Sequence, residues 1–194
     1  MIEASGEVIY TSTTEITGQS LPGSPPFPFG SFGIAGVPEG CACVVYHVET
    51  TSLDPHRRPT ALGLPEEQIA QKYPHLAQLL KNQFQAILIG EWHAQQFVYG
   101  LPATPPPMHA HVRLCTQEEI QRISQQPGFL RYLHDCGKSA PEELLLTVCR
   151  AMIRAHNHQR AEFVRIGKAL SDLYRDDYDT LRRLITRLET GYDA

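Results

Sequence analysis

Four places in the sequence set proton-handling or metal-binding side chains close together. His109 and His111 stand two residues apart, so on a strand both imidazoles leave the same face, as in some metal sites. Zinc and similar metals take three or four ligands, and no third is fixed by the spacing. Cys41 and Cys43 repeat that spacing. A metal or a redox pair could use it, but no partner motif accompanies them, and small buried core residues are the better reading. His134 and Asp135 are adjacent, with Gly137 and Lys138 just beyond. His156 and His158 are two apart on what reads as a helix, where they diverge and do not share a metal. No GxxxxGK[ST], GxGxxG or GxSxG string occurs, and no serine or cysteine sits in a recognisable nucleophile motif.

The string from Leu133 to Lys138 resembles the HD-x-GK signature of the HD-domain metal-dependent phosphohydrolases. That resemblance implies a metal held by His134 and Asp135, a histidine on a preceding helix and an aspartate on a later one. The nearest upstream histidines, His109 and His111, fall on a predicted strand behind a proline run; Asp172 or Asp176 could serve downstream. The residue types favour a plainer reading. His134 suits the negative end of a helix dipole, and Gly137 suits the turn that ends the helix. No catalytic residue and no cofactor are therefore assigned. His134 and Asp135, with Asp172 as a third metal ligand, stand as the alternative.

The elements that would position these groups divide the chain near Cys115. The 194 residues are 42% hydrophobic and 20% charged, the composition of an ordinary globular protein with one large or two small domains. Thirteen of fifteen prolines precede Met108, which argues against long helices there. Gly6–Tyr10, Thr13–Gly18 and Cys43–Val48 read as strands, rich in threonine and β-branched residues. Residues 20–33 are too rich in proline and glycine for regular structure, although their three phenylalanines predict that they pack down. Pro65 opens a helical excursion to about residue 80. A hairpin follows, Ala86–Glu91 and Gln96–Tyr99 around His93 and Ala94, then a stiff segment at 101–107 and a closing strand over Met108–Leu114.

At Thr116 the period changes from 2 to 3.6. Thr116-Gln-Glu-Glu119 and Ser139-Ala-Pro-Glu142 are capping boxes. Apolar stripes follow at Leu145, Val148, Cys149, Met152 and Ile153, then Phe163, Ile166, Leu170 and Leu173, then Leu181, Leu184, Ile185 and Leu188. Residues 116–194 hold twelve basic and twelve acidic side chains, as solvated helix faces laced with ion pairs would. Arg182, Arg183 and Arg187 form a basic patch, but Asp176, Asp177 and Asp179 just before it argue against a nucleic-acid arm, as does the net charge of −4. No basic-then-apolar leader opens the chain, and no stretch reaches the ~18–20 apolar residues of a membrane span. Five cysteines without framework spacing predict reduced thiols in the cytoplasm.

Taken along its length, the chain resembles the HAS-barrel family, the small barrel at the N-terminus of HerA-type helicases and ATP-synthase subunits. It is closer still to stand-alone HAS-barrel proteins of cyanobacteria that carry a helical tail. The resemblance lies in Gly6–Tyr10 followed by TSTTEITGQ at 11–19, in Pro28–Phe32, Val44–Tyr46 and Thr50–Pro55, in Arg57-Arg58 and Ala61–Leu64, in Pro105–Pro107, and in Asp176–Asp179. It implies an α+β fold: a β-barrel over residues 1–115 with a helical excursion, then a helical hairpin or bundle over 116–194. It also implies a non-catalytic assembly module that docks on protein partners, such as an ATPase or another large complex, with an oligomer allowed. Because Thr116 caps a helix directly after the last strand, the two halves are expected to be rigidly joined.

Overall fold

The computed structural model describes residues 3–36, 40–53, 63–65, 68, 71–73, 79–94, 96–138 and 140–190. The described strands are β1 (Ser5–Thr11), β2 (Glu15–Ser20), β3 (Phe32–Ala35), β4 (Cys41–Ser52), β5 (Leu80–His93), β6 (Gln96–Tyr99) and β7 (His111–Leu114). The helices after them are α1 (Gln117–Ser124), α2 (Phe129–Asp135), α3 (Pro141–Ala155), α4 (Arg160–Leu173) and α5 (Tyr178–Thr190). Six strands close a barrel in the order β2-β1-β7-β3-β4-β5, with β5 returning to β2, and every pairing is antiparallel. β6 lies outside the ring, paired only to β5. The architecture is the expected α+β one, strands first and helices after.

Period-2 alternation sorts the strands into two cores. Val8, Ile16, Cys43, Val45, Phe84, Ala86, Leu88 and Val112 point into the barrel, and Phe27 from the preceding loop plugs it. The intervening Phe32, Ile34, Ala42, Val44, Ile87 and Ile89 point outward, yet they too are buried, under the helices. Strands β3, β4 and β5 are thus covered on both faces where they meet the helices, which is why their sequences there run as unbroken apolar stretches. A bulge in β4 pairs Val45 with Ala86 and His47 with Gln85, leaving Tyr46 as the extra residue, turned toward the helices.

The outward-facing cluster is continuous with the helical core. Phe32 meets Phe129 edge-on at 5.9 Å, and Trp92, Leu133, Leu144, Met152, Ile166, Leu170, Leu184 and Leu188 belong to the same buried body. α3 is its axis, with eight buried residues that include the whole expected stripe from Leu145 to Ile153. The division at Cys115 is therefore a change of secondary structure inside one core. The Cys115 N–H donates to the Phe32 carbonyl at 2.9 Å, and Thr116 caps α1 immediately afterwards.

Several expectations are corrected. Phe32–Ala35 is a strand, where the sequence reads as loop to residue 33, because β4 and β7 both bond to it. Phe27 and Phe32 pack down as expected, whereas Phe29 stays partly exposed. The closing strand spans only His111–Leu114; before it, Met108 is exposed and His109 adopts a left-handed φ of 65°. α3 starts with Ala140 as N-cap (φ 53°) and Pro141 in its first turn; Ser139, from which the second capping box was expected to start, lies outside the described residues. α3 ends at Ala155, so His156 and His158 are not on a helix; His158 has a left-handed φ of 57°. The helical excursion over 65–80 falls mostly outside the described residues, and its end at Leu80 is already β5. Among the described residues no helix is long and apolar enough to cross a membrane.

Candidate functional site at the barrel–helix junction

His134 lies in the last turn of α2, and its Nδ1 is 2.7 Å from Asp135 Oδ1. Its ring stands edge-on to Tyr174 at 5.2 Å. The Cys136 N–H bonds back to the Tyr132 carbonyl, and Gly137 turns the chain away with φ 69°. This is the helix C-terminus that the residue types favour. Asp172 does not join the pair: its carboxylate is 3.5 Å from Arg175, and its carbonyl accepts from Arg131. His109 bonds to Glu7 and His111 to Ser5 Oγ, on the barrel. Among the described residues, no three His, Cys, Asp or Glu side chains converge as a metal would require.

The lysine of the same string has a definite task. Lys138 Nζ donates to Glu15 Oε2 on β2 and sits 4.6 Å above the ring of Tyr46. The Tyr46 hydroxyl is 2.9 Å from Glu15 Oε2 and 2.7 Å from Gln85 Oε1, and its single proton serves one of them at a time. Lys138 holds the Glu15 carboxyl below its ordinary range, against the opposing effect of burial. Burial would lower the Lys138 ammonium, but its bonds to Glu15 and Tyr46 outweigh that and raise it. These bonds make the cluster a latch between the α2–α3 loop and strands β2, β4 and β5. A second latch lies beside the 115/116 step. Glu119 accepts from both terminal nitrogens of Arg113, at 2.8 and 2.7 Å, and from the Thr116 N–H at 2.8 Å.

The first latch sets a pH dependence. A carboxyl depressed by folding contributes stability that is present above its ordinary value of about 4.3 and is lost as pH falls through the lower folded value. Lys138→Met should therefore cost about 0.5–1 kcal/mol at neutral pH, as expected of a pair that is still partly exposed. It should also lose stability less steeply than the unaltered chain below about pH 4.3. Urea unfolding at pH 7, 4 and 3 checks both; parallel curves at all three values would remove Glu15 from the account.

Four of the five thiols are held protonated by burial. Burial pushes Cys43 and Cys149 up to about 12, and burial with the Glu91 charge takes Cys41 to about 11. Cys115 is likewise raised well above the ordinary value by burial. Such thiols stay protonated at neutral pH and offer no thiolate for nucleophilic attack.

A groove of about 730 Å³ opens where the two halves meet. Tyr99 at the end of β6 forms one wall; Pro127, Gly128 and Arg131 at the start of α2 form its end; the α4 stripe Ala161, Val164, Arg165, Lys168 and Asp172 forms the other wall. Tyr99 and Val164 are 41% and 46% exposed, so both walls carry uncovered apolar surface. Arg165 is occupied by Glu162, a carboxylate buried at the start of α4 with His156 Nε2 at 3.7 Å. No contiguous stretch of sequence marks this groove, since its walls come from separate elements. One signal was available: Val164 is an apolar residue off the buried stripe of α4.

No family model matches the chain, and no curated protein matches it.

Proposed function

We propose that this chain is a non-catalytic interaction or assembly module of the cytoplasm, in which barrel and helices form one rigid body that offers the junction groove to a protein partner. The observation that carries the reading is the groove itself, a concave surface built by both halves with Tyr99 and Val164 uncovered on facing walls. Uncovered apolar surface in a concave setting marks interaction sites. The resemblance to the HAS-barrel family supports the same reading and suggests an ATPase or a similarly large assembly as the partner. The two latches support it as well, because they tie the helical half to the barrel.

The test is affinity capture from the lysate of the source organism with the full chain and with Val164→Glu. A partner recovered in stoichiometric amount by the first and lost by the second is the expected result. Recovery of nothing above background by the unaltered chain would overturn the reading. Metal analysis distinguishes the phosphohydrolase alternative: stoichiometric Mn, Fe, Zn or Ni that disappears in His134→Ala would favour His134 and Asp135 as ligands after all.

A further inference from the structure

We infer that the occupant of the junction groove is an acidic amphipathic helix of a partner protein; the inference rests on the interaction reading of that groove and adds the partner's chemistry. Charge comes first. The chain carries −4 overall, yet Arg131 and Lys168 in the groove are exposed and, among the described residues, have no carboxylate within 4 Å. The other two charges there are already engaged, Arg165 by Glu162 and the Asp172 carboxylate by Arg175, while Arg131 donates to the Asp172 carbonyl, which carries no charge. What the groove presents to an arriving segment is therefore two unneutralised cations flanked by apolar Tyr99 and Val164. Acidic residues beside apolar ones on the occupant complement that pattern.

The backbone state of the occupant follows from the strand that edges the groove. β6 pairs with β5 on one side only, and a free strand edge would accept an extended peptide. That edge is closed by Gln126. Its Nε2 donates to the Phe97 carbonyl at 3.1 Å, and its Oε1 accepts from the Tyr99 N–H at 3.3 Å. One amide side chain thus takes the two backbone groups that an added strand would need. A helix needs neither, because its own backbone groups are satisfied internally. The α4 wall from Ala161 to Asp172 spans roughly 17 Å at 1.5 Å per residue, room for about three turns of a helix laid alongside.

The experiment is selection of displayed random 16-residue peptides on the full chain, followed by affinity measurement with the selected peptides. Selected sequences should be acidic with apolar residues at i, i+3 and i+4. Arg131→Glu combined with Lys168→Glu should weaken them at least roughly tenfold, Lys168→Arg should preserve affinity, and Arg182→Glu on α5 should not matter. Peptides without acidic bias, affinity unmoved by the double variant, or no selected peptide at all would overturn the inference. So would a dimer of the chain that Lys168→Glu dissociates, because a second copy would then be the occupant. If the captured native partner depends on Val164 while the peptides ignore Arg131 and Lys168, the partner's chemistry is refuted and the interaction module stands. If no partner is captured, the module itself falls.

Discussion

Phe129→Ala is expected to lower the stability of barrel and helices together, by about 3–5 kcal/mol, in a single transition. Phe129 is fully buried and meets Phe32 of β3 edge-on, so its ring is the contact through which α2 grips the barrel wall. Removing it leaves a cavity in the cluster that both halves share, and the surrounding side chains come from rigid elements that close such a space only in part. Against the ~5–15 kcal/mol of a typical domain this is a large fraction. The chain offers two independent reporters. Its one tryptophan, Trp92, sits on β5 in that cluster and reads the barrel wall, while far-UV circular dichroism at the helical minimum reads residues beyond Thr116. Both should shift to the same lower denaturant midpoint. Separate midpoints for the two probes, in either the variant or the unaltered chain, would mean that the halves are independent domains.

That shared core was only partly legible from the sequence. The capping box at Thr116, the period change there and the apolar stripes placed most of the helical half, because 3.6-residue periodicity is a local property. β1, β2, β4 and the β5–β6 hairpin were legible for the same reason, through β-branched runs and alternation. β3 was not. Phe32–Ala35 follows a segment of prolines and glycines, and its strand state is imposed by hydrogen bonds from β4 and β7 on its two sides. The short closing strand failed in the opposite sense: Met108 and His109 continue the alternation, but the chain turns there and the His109 N–H bonds to the Val8 carbonyl.

The site divides the same way. The string around His134 was readable as a helix end, and the structure places it so. The partner of Lys138 was not readable, since Glu15 lies 123 residues away and only barrel closure brings β2 beside the α2–α3 loop. The groove is a product of three elements meeting. Its cations, Arg131 and Lys168, look in the sequence like ordinary members of solvated faces, and what distinguishes them is that, among the described residues, no carboxylate lies within 4 Å of them after folding.

Gly18→Ala should destabilise the chain by about 2–3 kcal/mol, a large effect for one methyl group. Gly18 is in β2 and its backbone is ordinary strand, so the reason is space and not conformation. A Cβ there would stand 2.2 Å from Phe84 Cζ and 2.6 Å from Cε1, well inside contact distance. The Phe84 ring has little room to retreat. It is 1% exposed inside the barrel and lies against Phe27, with centroids 4.2 Å apart. From β1, the Cβ position of Gly6 is already 3.0 Å from Phe27 and 3.1 Å from Phe84. Two glycines on neighbouring strands thus make the pocket in which the aromatic pair plugs the barrel, and a side chain at Gly18 must push Phe84 into Phe27. Replacing Phe84 by leucine opens that space while keeping the site apolar. Phe84→Leu alone should cost about 1–2 kcal/mol. The double variant should be more stable than the sum of the two single costs by at least about 1 kcal/mol, since the two positions are in contact. The measurement is a double-mutant cycle from chemical denaturation. Strict additivity would show that the clash with Phe84 is not what makes glycine necessary at position 18.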